Sequence, residues 1–372
     1  MEILGAVLEH TPNAPPFAES RPLTIGPLSL DDPGPGEILI RVEAAGVCHS
    51  DLSVVDGNRL RPTPMLLGHE SAGRIERIGA GVSGLEKGDR VVTTFLPRCG
   101  SCPECGTNGR LPCRVGSAAN AEGTLVGGQR RLHRGGAQVQ HHLGISAFAT
   151  HAVVSRTSVV KVEDDVPADV AALLGCAVLT GGGAVLNSGR PRPGERVVVV
   201  GLGGVGMAAL AVAVALGHEV IGVDPVPLKR AAALGLRASA ALDPEKALLE
   251  GILAPVVIEA AGSVPAFETA LALTAPGGTT VTVGLPAPEA MARISPLSLT
   301  AGARTVVGSY LGSAVPERDI PRYVALWREG RLPLESLVSA RITLPELNVA
   351  MDRLAAGQEL RQLVVFEEKE NL

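Results

Sequence analysis

From Leu23 to about Val166, short apolar runs alternate with polar positions and are cut by Gly, Pro and Asp. Ile38-Leu39-Ile40-Arg41-Val42, Gly73-Arg74-Ile75-Glu76-Arg77-Ile78 and Arg90-Val91-Val92 read as short strands of a compact β-rich domain. The texture changes after Pro167, where residues 169–174 read as a helix start and strand and helix signals then alternate. That alternation is what a parallel sheet covered by helices requires. Strands are predicted at residues 196–200, 219–223, 256–259, 279–283 and 305–308, and their near-continuous apolar runs suit strands covered on both faces. Beyond Gly312 the charge density rises. Residues 321–329 and 344–355 read as amphipathic helices before a closing strand at 362–366, and this tail is expected to return to the first domain. The expected fold is α/β, a β-rich domain (1–177 with 310–372) plus a doubly wound parallel-sheet domain (178–309).

The 372 residues are enough for two domains of ordinary size. With aromatics at 2% of the chain, the cores must be built from Val, Leu, Ala and Ile. A net charge of -5, with no Lys/Arg block, argues against nucleic acid and points to small-molecule partners. The start Met1-Glu2-Ile3-Leu4-Gly5 carries an acid where a secretory signal carries basic residues, so a cytoplasmic protein is expected. Residues 197–217 are uncharged for longer than the ~18 residues that flag a membrane-spanning helix. Four valines, then glycines at 201, 203, 204 and 206, then an Ala/Leu-rich run read instead as strand, turn and helix, so no membrane span is expected.

In a reducing compartment, metal binding is a better explanation for six cysteines than disulfides. Cys99, Cys102, Cys105 and Cys113 form C-x2-C-x2-C-x7-C in a turn-rich loop. Such a loop lets four thiolates converge tetrahedrally on zinc. A bacterial-type iron–sulfur cluster wants a shorter last gap followed by Pro, whereas Arg114 follows here; redox-active or unpaired thiols are the other alternative. Four protein ligands close the site, so this zinc is structural.

Gly201-Leu202-Gly203-Gly204-Val205-Gly206 fits G-x-G-x-x-G, follows a valine strand and opens an Ala-rich helix, with Asp224 at the end of the next strand. The glycines allow close approach to a pyrophosphate at the helix N-terminus. Asp224 is expected to accept the adenosine ribose hydroxyls and to repel a 2′-phosphate, which favours NAD over NADP. Its bland alternative is a solvated strand end before Pro225.

Cys48 and Cys176 taken singly read more readily as small buried hydrophobes than as ligands, and His69, in Gly68-His69-Glu70, is weak by itself. Together, two thiolates and one imidazole make a catalytic zinc set with an open fourth position.

The runs "AAGVCHSDL", "LGHE", the four-cysteine loop, "GCAVLTGGGAV" and "VVVVGLGGVG", in this order, resemble the zinc-dependent medium-chain alcohol dehydrogenases over nearly the whole chain. The resemblance implies a GroES-like catalytic domain and a Rossmann domain, two zinc ions per subunit and NAD. It implies Cys48, His69 and Cys176 as catalytic zinc ligands, with Glu70 behind the metal and able to ligate it transiently. Ser50 stands where the family places the hydroxyl that takes the alcohol proton. Ser53 stands where many relatives carry the last histidine of the relay, so protons are expected to leave through water beyond Ser50 or through His49. His49 replaces an arginine that some relatives hold against the pyrophosphate, and faster release of reduced cofactor is expected. By the same likeness Lys229 faces the adenosine ribose, Arg361 the pyrophosphate, and Thr180 and Val205 the nicotinamide. Phe95 and Phe148 match aromatic positions of the substrate channel. The long loop at residues 114–143 is similar to that of dimeric relatives, which points to a homodimer, with a homotetramer as the alternative.

The implied activity is NAD-linked interconversion of alcohols, primary and aryl or longer-chain, with aldehydes or ketones. One rival is oxidation of a thiol adduct of formaldehyde by the same residues. Another is a non-catalytic zinc-binding relative, which is expected to lack Cys48, His69 or Cys176; all three are present.

Overall fold

The computed structural model describes residues 1–357 and 359–366. The chain divides into two units, Met1–Cys176 with Val338–Leu372, and Ala177–Leu337. Residues 310–337, expected with the first unit, group with the second. The reason is a close backbone approach. Gly312, at φ +66°, brings its carbonyl to within 2.3 Å of where a Cβ on Gly183 would stand, and the Tyr323 ring fills the space beside Gly182. Asn187 Nδ2 fastens the segment further by donating to Gly312 O and to Asp319 Oδ2, each at 3.2 Å.

In the first unit, Glu2–Leu8, Leu23–Leu30, Leu132–Arg134, Ala137–His141 and Met65–Leu66 close into a barrel. A seven-stranded sheet is built around the long strand Glu37–Val47, which pairs antiparallel with Ser71–Ile78, His151–Ser155 and Gln362–Val365. Along Glu37–Val47 every residue but Arg41 and Glu43 is buried, so this central strand is covered on both faces. The segment after residue 113, expected as a loop, carries the helix Arg114–Glu122 and the hairpin Leu132–Arg134/Ala137–His141, which completes the barrel.

The second unit holds a six-stranded sheet, parallel throughout, in the order Ala240–Leu242, Val220–Val223, Val197–Val200, Ala254–Glu259, Thr274–Thr282, Thr305–Gly308. Counted along the chain this is 3-2-1-4-5-6, whose reversal point beside the first strand opens the crevice where such sheets bind dinucleotides. The four valines Val197–Val200 are 0–2% exposed, each contributing roughly 1.5–3 kcal/mol by burial. The strand Ala240–Leu242 was not legible in the sequence because its three half-buried residues, two Ala and a Leu, carry no β-branched signal.

The helix expected to start near residue 169 runs from Ala168 to Gly189 and contains the π-helical stretches Leu174–Val178 and Ala184–Gly189. By length and composition it passes for a membrane span, but 89% of its apolar window is buried inside the protein. The uncharged run at 197–217 resolves into the strand Val197–Val200 and the buried helix Gly204–Ala215.

Candidate functional site

The loop after Arg90–Thr93 gathers the sulfurs of Cys99, Cys102, Cys105 and Cys113 within 4.8 Å of one another. Cys99 and Cys105 Sγ are 4.0 Å apart, Cys102 and Cys113 Sγ 3.8 Å. Four thiolates placed tetrahedrally at ~2.3 Å from zinc have sulfurs about 3.8 Å apart, so the donor set fits that ion. All six cysteines are free of disulfides. Cys113 also caps the helix Arg114–Glu122, accepting from Gly116 N at 3.4 Å, and Cys99 N donates to the same sulfur. Hydrogen bonds from Ser101 hold the Cys99 thiol down at about 6, whereas burial pushes Cys105 up to about 12.

A second cluster, fully buried, brings one donor atom each of Cys48, His69, Glu70 and Cys176 within 4.8 Å of one another. Cys48 ends the strand Glu37–Val47 and caps the helix His49–Val55, with its own N–H donating to Asp51 Oδ2 at 3.0 Å. His69 follows Gly68, whose φ of +91° and whose contact with the Phe148 backbone only glycine tolerates. Cys176 lies in the π-helical stretch. Its neighbour Gly175 lets the helix pack so closely that a Cβ would stand 1.8 Å from Thr93 O. Cys176 Sγ is 3.6 Å from His69 Nε2. Hydrogen bonding between the two thiols holds Cys48 well below and Cys176 well above the ordinary value, so the pair readily carries one negative charge.

Asp51, to which the sequence reading assigned no role, orients this cluster. Its Oδ1 lies 2.9 Å from His69 Nδ1, which leaves Nε2 facing the sulfurs. Burial opposes charge on both groups, but their attraction prevails, holding Asp51 well below and His69 well above their ordinary values. The spacing Cys48-x-x-Asp51, a capping box with a thiol in place of a hydroxyl, is the signal that marks it. His142 is also buried here, with Nδ1 3.2 Å from Asp51 Oδ1.

Arg361 is paired with Glu70. The strand Gln362–Val365 pairs with Ala44–Val47, which carries the Arg361 guanidinium into the interior. Nη1 donates to Glu70 Oε2 at 3.1 Å and to Val47 O at 3.3 Å. Arg361 is therefore the counter-ion of Glu70. Burial pushes the Glu70 carboxyl up to about 7 although Arg361 opposes it.

Phe148 does not reach the surface of any channel. It is completely enclosed in the apolar core with Ala6, Leu67 and Ala147, so it is scaffold rather than channel wall. Phe95 stands edge-on to the His69 ring at 5.7 Å, beside the cluster. Ser50, half-buried, and His49, exposed, lie in the first turn of His49–Val55. Ser53 Oγ donates back to His49 O at 2.9 Å.

In the second unit, the three glycines of the motif do different work. Gly201, at φ +90°, turns the chain against Ala261, and a Cβ on Gly206 would stand 1.8 Å from Gly201 O; a Cβ on Gly203 would meet nothing. The open face at Gly203, at the N-terminus of Gly204–Ala215, fits the approach of a pyrophosphate. Asp224 is buried, its Oδ2 accepting from Leu202 N and its Oδ1 from Val226 N, both at 2.8 Å. Each carboxylate oxygen keeps a further lone pair, which fits a pair of ribose hydroxyls. Glu259 shapes the neighbouring turn by accepting from Ala261 N and Gly262 N at 2.9 and 2.7 Å. Thr180 is buried in the long helix, while Val205 and Lys229 are half-buried at the starts of Gly204–Ala215 and Pro227–Gly235.

Comparison with known proteins agrees with this geometry. Residues 34–164 match the alcohol dehydrogenase GroES-like domain, and residues 204–329 match the zinc-binding dehydrogenase domain. A putative alcohol dehydrogenase D of Mycobacterium tuberculosis is 37% identical over 94% of this chain and 98% of its own. A geraniol dehydrogenase of Castellaniella defragrans is 37% identical over 93% of this chain and 95% of its own. The crystal structure of a benzyl alcohol dehydrogenase from Acinetobacter calcoaceticus superposes with a TM-score of 0.90 at 30% identity, covering 99% of this chain and all of that one (100%).

Proposed function

The chain belongs to the zinc-dependent medium-chain alcohol dehydrogenases, and on that premise we propose that its preferred substrates are primary alcohols bearing an aryl or longer-chain group. Alcohol and aldehyde are interconverted with NAD as hydride partner. The observation that carries the reading is the convergence of Cys48, His69 and Cys176 beside Phe95. The relatives named for geraniol and benzyl alcohol support the substrate class.

Cys48, His69 and Cys176 would hold zinc and the Gly201–Gly206 turn with Asp224 would hold NAD, which when bound supply a Lewis acid for the alcohol oxygen and an acceptor for hydride. The chain's own residues do the rest. Asp51 accepts a hydrogen bond from Nδ1–H of His69, fixing the tautomer whose Nε2 lone pair faces the metal site. Arg361 balances Glu70, so that a carboxylate is tolerated beside two thiols. Ser50 is the hydroxyl that receives the alcohol proton. Because Ser53 gives its hydrogen to His49 O, the proton moves on through water or through exposed His49.

In the same reading each subunit carries two zinc ions, the second on Cys99, Cys102, Cys105 and Cys113. The outer strand Thr305–Gly308 has no partner on its far side among the described residues, which supports a homodimer. Six unpaired thiols support a cytoplasmic location. The test is NADH absorbance with benzyl alcohol, geraniol, ethanol and formaldehyde, the last with and without glutathione. Faster turnover per enzyme on the first two supports the reading; thiol-dependent formaldehyde oxidation exceeding both replaces it.

A further inference from the structure

Asp51 Oδ1 faces two imidazoles rather than one. His69 Nδ1 lies 2.9 Å away and His142 Nδ1 3.2 Å, with all three side chains no more than 1% exposed. The other carboxylate oxygen accepts from Cys48 N at 3.0 Å. The two rings meet edge to face at 5.3 Å. The His142 approach lies off the line of a full hydrogen bond, so its Nδ1 is a buried polar atom without an aligned partner. A phenyl or isobutyl group in its place would avoid that cost.

The backbone that carries His142 is constrained as well. Leu143, Gly144 and Ser146 have φ of +53°, +67° and +57°, a region that non-glycine residues occupy at a cost. The turn is closed by His142 N donating to Ser146 Oγ at 2.9 Å and by Ser146 Oγ donating to Leu66 O at 2.8 Å. Such strain persists where surrounding structure over-determines it, and it falls here on the residues directly after His142, whose imidazole is aimed at Asp51.

We propose that His142 is a positioning residue of the metal centre. With Cys48 N–H and His69 it fixes the Asp51 carboxylate, and through it the tautomer and direction of His69. Without His142, Oδ1 keeps His69 as its only polar neighbour from a ring and the carboxylate gains freedom to turn, so His69 becomes a poorer ligand. This rests on the reading of Cys48, His69 and Cys176 as zinc ligands.

The test follows zinc release from the holoenzyme to a chromophoric chelator in wild type, His142→Phe, His142→Asn and Cys176→Ser. The phase missing from Cys176→Ser identifies this site against the four-cysteine site. The expected result is ~10-fold or faster release from this site in His142→Phe, the scale for loss of a partner behind a metal ligand. His142→Asn, whose amide occupies the Nδ1 position, is expected to restore release to within about threefold of wild type, with the four-cysteine phase unchanged throughout. If far-UV circular dichroism shows His142→Phe unfolded, His142→Gln, with its amide at the Nε2 position, takes its place with the same expectation. Wild-type release in the donor-free variant, or equally fast release in the Asn variant, overturns the proposal. If Cys176→Ser loses no phase, the ligand reading itself fails instead.

Discussion

Arg361 Nη1 lies 3.1 Å from Glu70 Oε2, and the two side chains are 4% and 0% exposed. Breaking a buried pair from one side leaves the other group uncompensated, at a cost of roughly 3–5 kcal/mol. Arg361→Met is therefore expected to lower stability in urea by about 3 kcal/mol. Adding Glu70→Gln removes the stranded carboxyl and should recover at least half of that loss. A single variant within about 0.5 kcal/mol of wild type would show that the pair is incidental.

Gly175 sets how closely Cys176 approaches Cys48 and His69. A Cβ there would stand 1.8 Å from Thr93 O, and Thr93 is held in turn by Ser71, their hydroxyls 2.9 Å apart. Gly175→Ala must move the helix, and displacement by ~1 Å is enough to cost about a hundredfold in rate. Elemental analysis should find one zinc lost per chain while NAD affinity is retained. Full metal content and rate in this variant would contradict the packing argument.

Much of this was legible in the sequence because the chemistry is local there. Cys99 to Cys113 and Gly201 to Gly206 each lie in one short stretch of chain, and their spacing carries the geometry. Asp51 and His142 were not legible, and neither was the pairing of Arg361 with Glu70. Asp51 meets His69 and His142 only through the pairing of distant strands, and no spacing in the chain records that. Phe148 was misread because an aromatic side chain looks the same in sequence whether it lines a channel or fills the barrel behind Gly68. Residues 310–337 went to the second unit because of a glycine-to-glycine approach, which leaves no trace in hydrophobic periodicity.

Asp224 is expected to decide between the dinucleotides. Asp224→Asn keeps an oxygen to accept from one amide but removes the charge that repels a 2′-phosphate. Fluorescence titration should show NAD binding weakened by about tenfold and NADP binding strengthened, consistent with the loss of charge-assisted hydrogen bonds worth ~1.5–3 kcal/mol. An unchanged ratio of the two affinities would remove Asp224 from the discriminating role.

His141 gives the fold a pH dependence. Burial, helped by Arg130 and Arg131, pushes its imidazole down to about 3, and its Nε2 accepts from Arg131 N at 3.0 Å. An unfolded chain binds a proton on this ring below about 6.5 while the folded chain stays neutral, so stability is present above that pH and is lost as pH falls toward about 3. The slope is at most ~1.4 kcal/mol per pH unit. His141→Gln, which keeps an acceptor, should flatten the urea-derived stability curve between pH 4.5 and 6.5. Parallel curves for the two proteins would place the acid sensitivity elsewhere.

The most direct test of the account compares benzyl alcohol oxidation by wild type and Cys176→Ser, each checked for NAD binding. NADH formation by wild type and at least a ~1,000-fold fall in the variant are expected, about 4 kcal/mol of lost transition-state stabilisation, with NAD affinity unchanged. Equal rates in the two proteins, or no alcohol oxidation by a zinc-loaded wild type, would contradict it.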